Sequence, residues 1–328
     1  MPRPRGSALT ASVLTASVLA LAGCGTSTDA SGSASGGEPV TVANCGSDVT
    51  FPSAPERVVM LKSAAVPYLH DLGVLDRVVA RAGLYPSEYY DEQTLAELDV
   101  IPELTSDTDA GGHLQISKEV VVAQRPDLVL GEVDNLSRSS LEAVDVPLLE
   151  EPALCETGGS EPGFDDVWSQ LALYGEVFDR PDEAAAATAD LQERLAAVEA
   201  EVDGPSGRTA AVLYPTVGGG TTYAYGTGSM AHPQLEAAGF ENVFGDVDER
   251  VVEVTLEELL GRDPDVIVLL HTDGDPADVE EALVDLPGAE RLTAVREGEV
   301  MTQLFNFTEP PSPLAVDGLE AIVARFGE

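Results

Sequence analysis

Two glutamates stand in matching settings far apart in the chain. Ser117-Lys118-Glu119 is followed, after a gap of six residues, by Pro126-Asp127-Leu128-Val129-Leu130; Thr255-Leu256-Glu257 is followed after the same gap by Pro264-Asp265-Val266-Ile267-Val268-Leu269. Ser117 and Thr255 are N-cap residues by type, and a glutamate in the first turn is favoured by the helix dipole. Each Pro-Asp pair ends its helix before an apolar strand. Alone, each glutamate improves its own helix end by less than about 1 kcal/mol, which accounts for either one but not for the matched pair. Aromatic residues form a second group: Tyr85, Tyr89 and Tyr90 after one strand, Tyr223 and Tyr225 in a Gly-rich segment, Phe305 and Phe307 before Pro310-Pro311. Rings in loops offer broad contact to an organic ligand, and each reads equally well as lobe core. Arg138, after the Leu128-Val129-Leu130 strand, is a cation for ligand oxygens or a surface residue. Catalytic patterns are weak. Ser229 sits in Gly226-Thr227-Gly228-Ser229-Met230, which lacks the closing glycine of a nucleophile elbow, and Ser160 has no such setting. His70, His113, His232 and His271 show no metal-ligand spacing, so neither an enzyme nor a bare metal site is expected.

The elements that must position these residues alternate. Short β-branched runs at Arg57 to Leu61, Val78 to Ala80, Leu128 to Leu130, Ala210 to Tyr214 and Val266 to Leu270 are separated by helical patterns, which predicts an α/β architecture. The runs fall into two groups. Between them Phe164 to Val177 reads as a helix carrying Trp168, Leu171 and Tyr174 toward a core. Pro181 to Val202 reads as a longer one, with Leu191, Leu195 and Val198 on one stripe and Asp203-Gly204-Pro205 as its stop. Strand-to-helix units ending at Leu72-Gly73 and Ala238-Gly239 repeat as well. Two similar lobes are the simplest account: residues 39–180, a connecting helix over 181–203, and residues 204–328. The net charge is −41, from 58 acidic and 17 basic residues, so a nucleic-acid backbone would be repelled.

The N-terminus reads as an export signal. Arg3 and Arg5 give a positive start, and Ala8 to Ala22 a short apolar run ending in small residues. Leu21-Ala22-Gly23-Cys24 resembles the lipobox of bacterial lipoproteins, in which the cysteine becomes the first residue and carries the lipid; an unanchored secreted protein cleaved nearby is the alternative. Residues 1–23 are then a signal peptide and 24–38, rich in Ser and Gly, a tether. Setting Cys24 aside leaves Cys45 and Cys155, which have one possible pairing in an oxidising compartment; two buried free thiols are the other reading.

From Val40 to the C-terminus the chain resembles the ABC-importer substrate-binding proteins for ferric siderophores, haem and cobalamin. The resemblance is carried by Asn44-Cys45-Gly46, Ala54-Pro55-Glu56-Arg57-Val58-Val59, the two Glu-to-Pro-Asp elements, Gly239-Phe240-Glu241-Asn242-Val243-Phe244 and Ala294-Val295-Arg296-Glu297-Gly298-Glu299-Val300. It implies two Rossmann-like lobes joined by one long rigid α-helix, with the ligand cleft between them and modest closure. It implies that Glu119 and Glu257 dock onto arginines of a membrane permease driven by an ATPase. Tyr85, Tyr90, Tyr223, Tyr225 and Phe307, with Arg138, are the expected ligand contacts. No intrinsic cofactor is implied. The cargo is expected to be a ferric siderophore, with cobalamin or haem as alternatives, and the protein a monomer held by Cys24 on the extracytoplasmic face. An enzyme and a lipid-anchored adhesin are the competing classes.

Overall fold

The computed structural model describes residues 39–109, 113–155, 161–202 and 204–327. The expected signal peptide, tether and Cys24, and also Ser160, lie outside the described residues. The chain opens with a hairpin of β1 (Val40–Asn44) and β2 (Ser47–Phe51). Its two-residue turn, Cys45-Gly46, takes positive φ at both positions, the turn whose twist matches antiparallel strands.

The first lobe is a parallel sheet of β3 (Val58–Met60), β4 (Val78–Arg81), β5 (Leu128–Leu130) and β6 (Leu148–Leu149), in the order β4-β3-β5-β6. Around it lie α1 (Ala65–Asp71), α2 (Glu92–Asp99), α3 (Lys118–Val122), α4 (Arg138–Glu142) and α5 (Phe164–Val177). Both faces of the sheet are covered. Val58, Met60, Leu128 and Leu130 pack against Tyr68, Leu69, Leu171 and Tyr174, while Val59, Ala80 and Val129 pack on the other side with Val121 and Leu141. That double burial explains why these strands are continuous apolar runs.

Next comes α6 (Pro181–Glu201), with Pro181 in its first turn. The second lobe is β7 (Thr209–Pro215), β8 (Thr222–Tyr225), α7 (Ala231–Ala237), β9 (Glu241–Asn242), β10 (Val251–Val254), α8 (Leu256–Arg262), β11 (Val266–His271), α9 (Pro276–Val284), α10 (Thr293–Glu297), β12 (Val300–Leu304) and α11 (Leu314–Phe326). Its sheet runs β10-β8-β7-β11-β12, with β9 beside β7; β7, β11 and β12 are parallel, and β8 and β10 are antiparallel additions.

The internal repeat is physical. Ser117 accepts from the Val120 N–H and Thr255 from the Glu258 N–H, so both are N-caps. Arg125 and Asp263, each directly before a proline, take positive φ, the left-handed turn that commonly ends a helix. The Asp127 carboxylate then accepts the N–H groups of Glu56 and Arg57, and Asp265 accepts the N–H and hydroxyl of Thr209. The aspartate therefore ties its strand to the start of the neighbouring one in each lobe. Gly73 and Gly239, at positive φ, close α1 and α7 with the same pair of bonds: Gly73 to His70 and Val74 to Leu69, Gly239 to Glu236 and Phe240 to Leu235.

Candidate functional site: the interlobe cleft

In open α/β sheets ligands bind beyond the carboxyl ends of the strands. Here the ends of β3, β4 and β5 in one lobe meet the ends of β11 and β12 in the other. Two adjoining cavities occupy the space. The larger, about 940 Å3, is walled by Tyr85, Glu88, Tyr89, Tyr90 and Asp91 from one lobe and by His271, Asp273, Met301, Gln303 and Phe307 from the other. The smaller, about 290 Å3, is walled by Lys62, Ser63, Gly83, His113, Glu132 and Asp134 opposite Phe305, Asn306 and Pro310. They share Leu84, Pro86, Tyr89 and Thr272.

Between the cavities the lobes touch along a specific seam. The Tyr89 hydroxyl accepts the Asn306 N–H at 2.8 Å, and its ring meets Phe307 edge-on at 5.1 Å. The Asn306 side chain satisfies both its ends when its amide oxygen accepts from Ser63 Oγ at 2.9 Å and the Ala64 N–H at 3.2 Å, with its nitrogen donating to the Glu309 carbonyl at 3.1 Å. Tyr68 donates to the Pro311 carbonyl at 3.1 Å.

Tyr85, Tyr90 and Phe307 are brought together in the wall of the larger cavity. Tyr85 donates to the Met60 carbonyl and Tyr90 to that of Ser63, so each hydroxyl is anchored at the end of β3. Burial pushes the phenols of Tyr85, Tyr89 and Tyr90 well above their ordinary range. At neutral pH the three rings are therefore uncharged.

Arg138, Tyr223 and Tyr225 line neither cavity, against expectation. Arg138 is consumed within its own lobe, donating to the Leu148 carbonyl at 2.7 Å and to Asn44 Oδ1 at 2.5 Å, which ties α4 to β6 and the hairpin. Tyr223 stands opposite Tyr214, and β7 lies between its strand and β11 at the cavity wall. Tyr225 is buried in the core of the second lobe. Proximity to a Gly-rich loop did not reveal that β8 is an added antiparallel strand, apart from the strands whose ends wall the cleft.

The structure also supplies groups that sequence spacing does not mark. Arg250 lies 6.0 Å from the rings of Tyr225 and Phe305 and is held by Glu309 at 2.7 Å. Glu309 is fully buried and also accepts from the Met230 N–H and the Ser229 hydroxyl. Ser229, the partial nucleophile match, is thus a buried structural donor. Lys62 reaches the cleft with its stem across Gly131, where an added Cβ would stand 2.8 Å from Lys62 Cγ, and its ammonium meets Glu150 at 2.8 Å. Glu150 also accepts the N–H groups of Glu132 and Glu151, both at 2.6 Å. Among the described residues, Asp109, His113 and Asp134 form an exposed trio with ligand atoms within 4.8 Å of one another, assembled from two separate loops.

Glu119 and Glu257 occupy the same second helical position in α3 and α8, and both are exposed. Among the described residues neither carboxylate enters an ion pair. Cys45 and Cys155 are joined in a disulfide with a Cα separation of 5.2 Å.

Residues 58–303 match the family described as periplasmic binding protein. This chain belongs to the periplasmic binding protein family. A solved structure from Saccharomonospora viridis, described as an ABC-type Fe3+-hydroxamate transport system, superposes on the binding protein with a TM-score of 0.85. It shares 57% identity and covers 89% of this chain and 100% of its own. A periplasmic haem-binding protein from Pseudomonas aeruginosa shares the fold, with a TM-score of 0.66 and 20% identity over 83% of this chain and 93% of its own. A cobalamin-binding protein of Halobacterium salinarum is 27% identical over 286 residues, 85% of this chain and 71% of its own. Proteins of this family are substrate-binding proteins of transport systems. Among the described residues no helix is long and apolar enough to cross a membrane.

Proposed function

We propose that this binding protein captures a ferric siderophore of the hydroxamate type outside the cytoplasmic membrane and delivers it to an ABC importer. The observation that carries the reading is the 57% identity and the superposition over 89% of this chain with a protein described as part of an Fe3+-hydroxamate transport system. The cleft is compatible with such a cargo. A cavity of about 940 Å3 walled by tyrosine and phenylalanine rings has the size and lining of a small-molecule site. Capture is non-covalent. The lobes hold the chelate between rings, and Glu119 and Glu257, one on each lobe, register the loaded protein on the permease. Two carboxylates on rigid helix starts orient a partner and speed encounter more than they add affinity. Cys24 anchors the protein by a lipid, and the protein acts as a monomer.

Cobalamin is the second reading, supported by the relative of that name in Halobacterium salinarum. The test is quenching of intrinsic fluorescence from Trp168 and the tyrosines, titrated with ferric hydroxamate, ferric catecholate, ferric citrate, haem and cobalamin. Saturation by ferric hydroxamate, and not by its iron-free form, is expected. Saturation by cobalamin or haem alone would overturn the cargo and keep the carrier role.

A further inference from the structure

We propose that Lys62 selects the cargo: its ammonium donates hydrogen bonds to the iron-bound oxygens of a ferric hydroxamate in the smaller cavity, while the rings of the larger cavity take the organic arms. This deepens the hydroxamate reading and rests on it. Lys62 is one of two lysines in a chain that otherwise uses arginine; the second, Lys118, stands beside Glu119. The Lys62 side chain lies in the wall of the smaller cavity with 27% of its surface open, and among the described residues no arginine or other lysine lines either cavity. The nearby guanidinium groups face rings instead. Arg81 lies 4.8 Å from the Tyr85 ring and 3.8 Å from Glu103, and Arg250 lies 6.0 Å from the Phe305 ring and is held by Glu309. In the wall that holds Lys62, Glu132 and Asp134 are acceptors, and His113 faces Asp134 at 3.1 Å. For a ligand that presents oxygens, the ammonium is the charged donor on offer.

The ammonium is built into place. The Lys62 stem crosses Gly131, whose φ is 92°, and a Cβ added there would stand 2.8 Å from Cγ and 3.1 Å from Cδ, so only glycine leaves the track open. At the end of the track Glu150, 3% exposed, accepts from Nζ at 2.8 Å. The same carboxylate accepts the N–H groups of Glu132 and Glu151, both at 2.6 Å. Backbone bonds therefore fix the carboxylate, and the carboxylate fixes the ammonium. That contact uses one of three N–H donors, and the other two have no partner among the described residues. Neutralising Glu150 accounts for the one bond; it does not account for a side chain set in a cavity wall opposite Phe305 and Asn306. In a ferric hydroxamate each iron-bound oxygen shares the negative charge of its anion and keeps a lone pair turned outward, so an ammonium meets it in a charge-assisted hydrogen bond. Leu84, Pro86, Tyr89 and Thr272 line both cavities, so one ligand can span the two.

The experiment titrates the ferric complex of a linear trihydroxamate, by fluorescence quenching, into the purified full chain in detergent and into two variants. Lys62→Met keeps the stem, removes the donors, and should weaken binding at least about tenfold, the loss of a hydrogen bond to a charged group. Lys62→Met with Glu150→Gln also removes the buried carboxylate that a purely structural lysine would serve, and should bind as weakly as Lys62→Met alone. Recovery of affinity in that double variant would reduce Lys62 to a partner of Glu150 and overturn the proposal. A second measurement needs no substitution and so stands whether or not the variants fold. With two lysines distinguishable by peptide mass, saturating ferric complex should protect Lys62 from acetylation and leave Lys118 as reactive as before. Undiminished acetylation of Lys62 in the loaded protein, or unchanged affinity in Lys62→Met, would overturn the role of Lys62 and leave the hydroxamate reading standing. Failure of the unsubstituted protein to bind the complex would overturn both.

Discussion

Two carboxyls act on stability as single residues, Glu151 in the interior and Asp71, which is exposed at the end of α1 but desolvated by the groups around it. Burial and the neighbouring Glu150 push Glu151 up to about 8, and desolvation pushes Asp71 up to about 6. In each case the folded chain keeps a proton that the unfolded chain has released, so stability falls as pH rises from the ordinary carboxyl value toward the folded one. The window of Asp71 closes first. Above about pH 6.5 the remaining decline belongs to Glu151, with a slope no steeper than about 1.4 kcal/mol per pH unit. Glu151→Gln keeps the acceptor for the Tyr174 hydroxyl, removes the titration, and should flatten the urea midpoint between about pH 6.5 and 8. An unchanged slope in that variant would place the titration elsewhere.

At the scale of elements, the β1-β2 hairpin depends on its attachments. It is a two-stranded sheet that pairs with no other strand among the described residues, and such hairpins are marginal in water. Asn44 secures it by donating to the Glu150 carbonyl and accepting the Glu150 N–H, and the disulfide adds a covalent tie across 110 residues of sequence. A bridge closing so long a loop contributes about 2–4 kcal/mol. Reduction, or Cys45→Ala with Cys155→Ala, should lower the unfolding free energy by that order. Hydrogen exchange in the hairpin should then rise more than in β3 or β5. Uniform change across the lobe would contradict this attachment, and full labelling of both thiols in the denatured, unreduced protein would exclude the bridge.

Across the whole molecule, α6 sets the relation of the lobes. Its 21 residues extend roughly 30 Å. Leu191 packs in the core of the first lobe, and Leu195 and Val198 pack in that of the second. Arg194, midway, grips Asp317 and Glu320 of α11 at 2.5 to 3.0 Å. A helix held in both cores resists large hinge bending, so Glu119 and Glu257 keep a fixed spacing. Uptake of the ferric chelate by cells should therefore be lost with Glu119→Lys and Glu257→Lys together, while the purified variant binds the chelate as before. Loss of ligand affinity in that variant would contradict docking. Cys24→Ser should also release the protein from the membrane fraction; retention of an acylated product would refute the anchor.

Much of this was legible before any coordinates. The α/β class, the five apolar strands, the Phe164–Val177 helix and the duplicated capping elements follow from local rules: period, caps, turn residues and the restriction that proline imposes on its predecessor. The family resemblance rests on those same local elements. What the tertiary structure decided was the use of each functional group. Arg138 looked like a ligand cation, but only the fold showed that it is bonded to Asn44 and the Leu148 carbonyl inside its own lobe. Tyr223 and Tyr225 looked like loop aromatics until β8 proved to be a strand of the second sheet, away from both cavities. The seam through Tyr68, Tyr89 and Asn306 and the Glu309 cluster join residues as many as 243 apart. Local pattern specifies an element and its faces; which charges meet across a cleft depends on where two lobes place them, and that relation has no period to read.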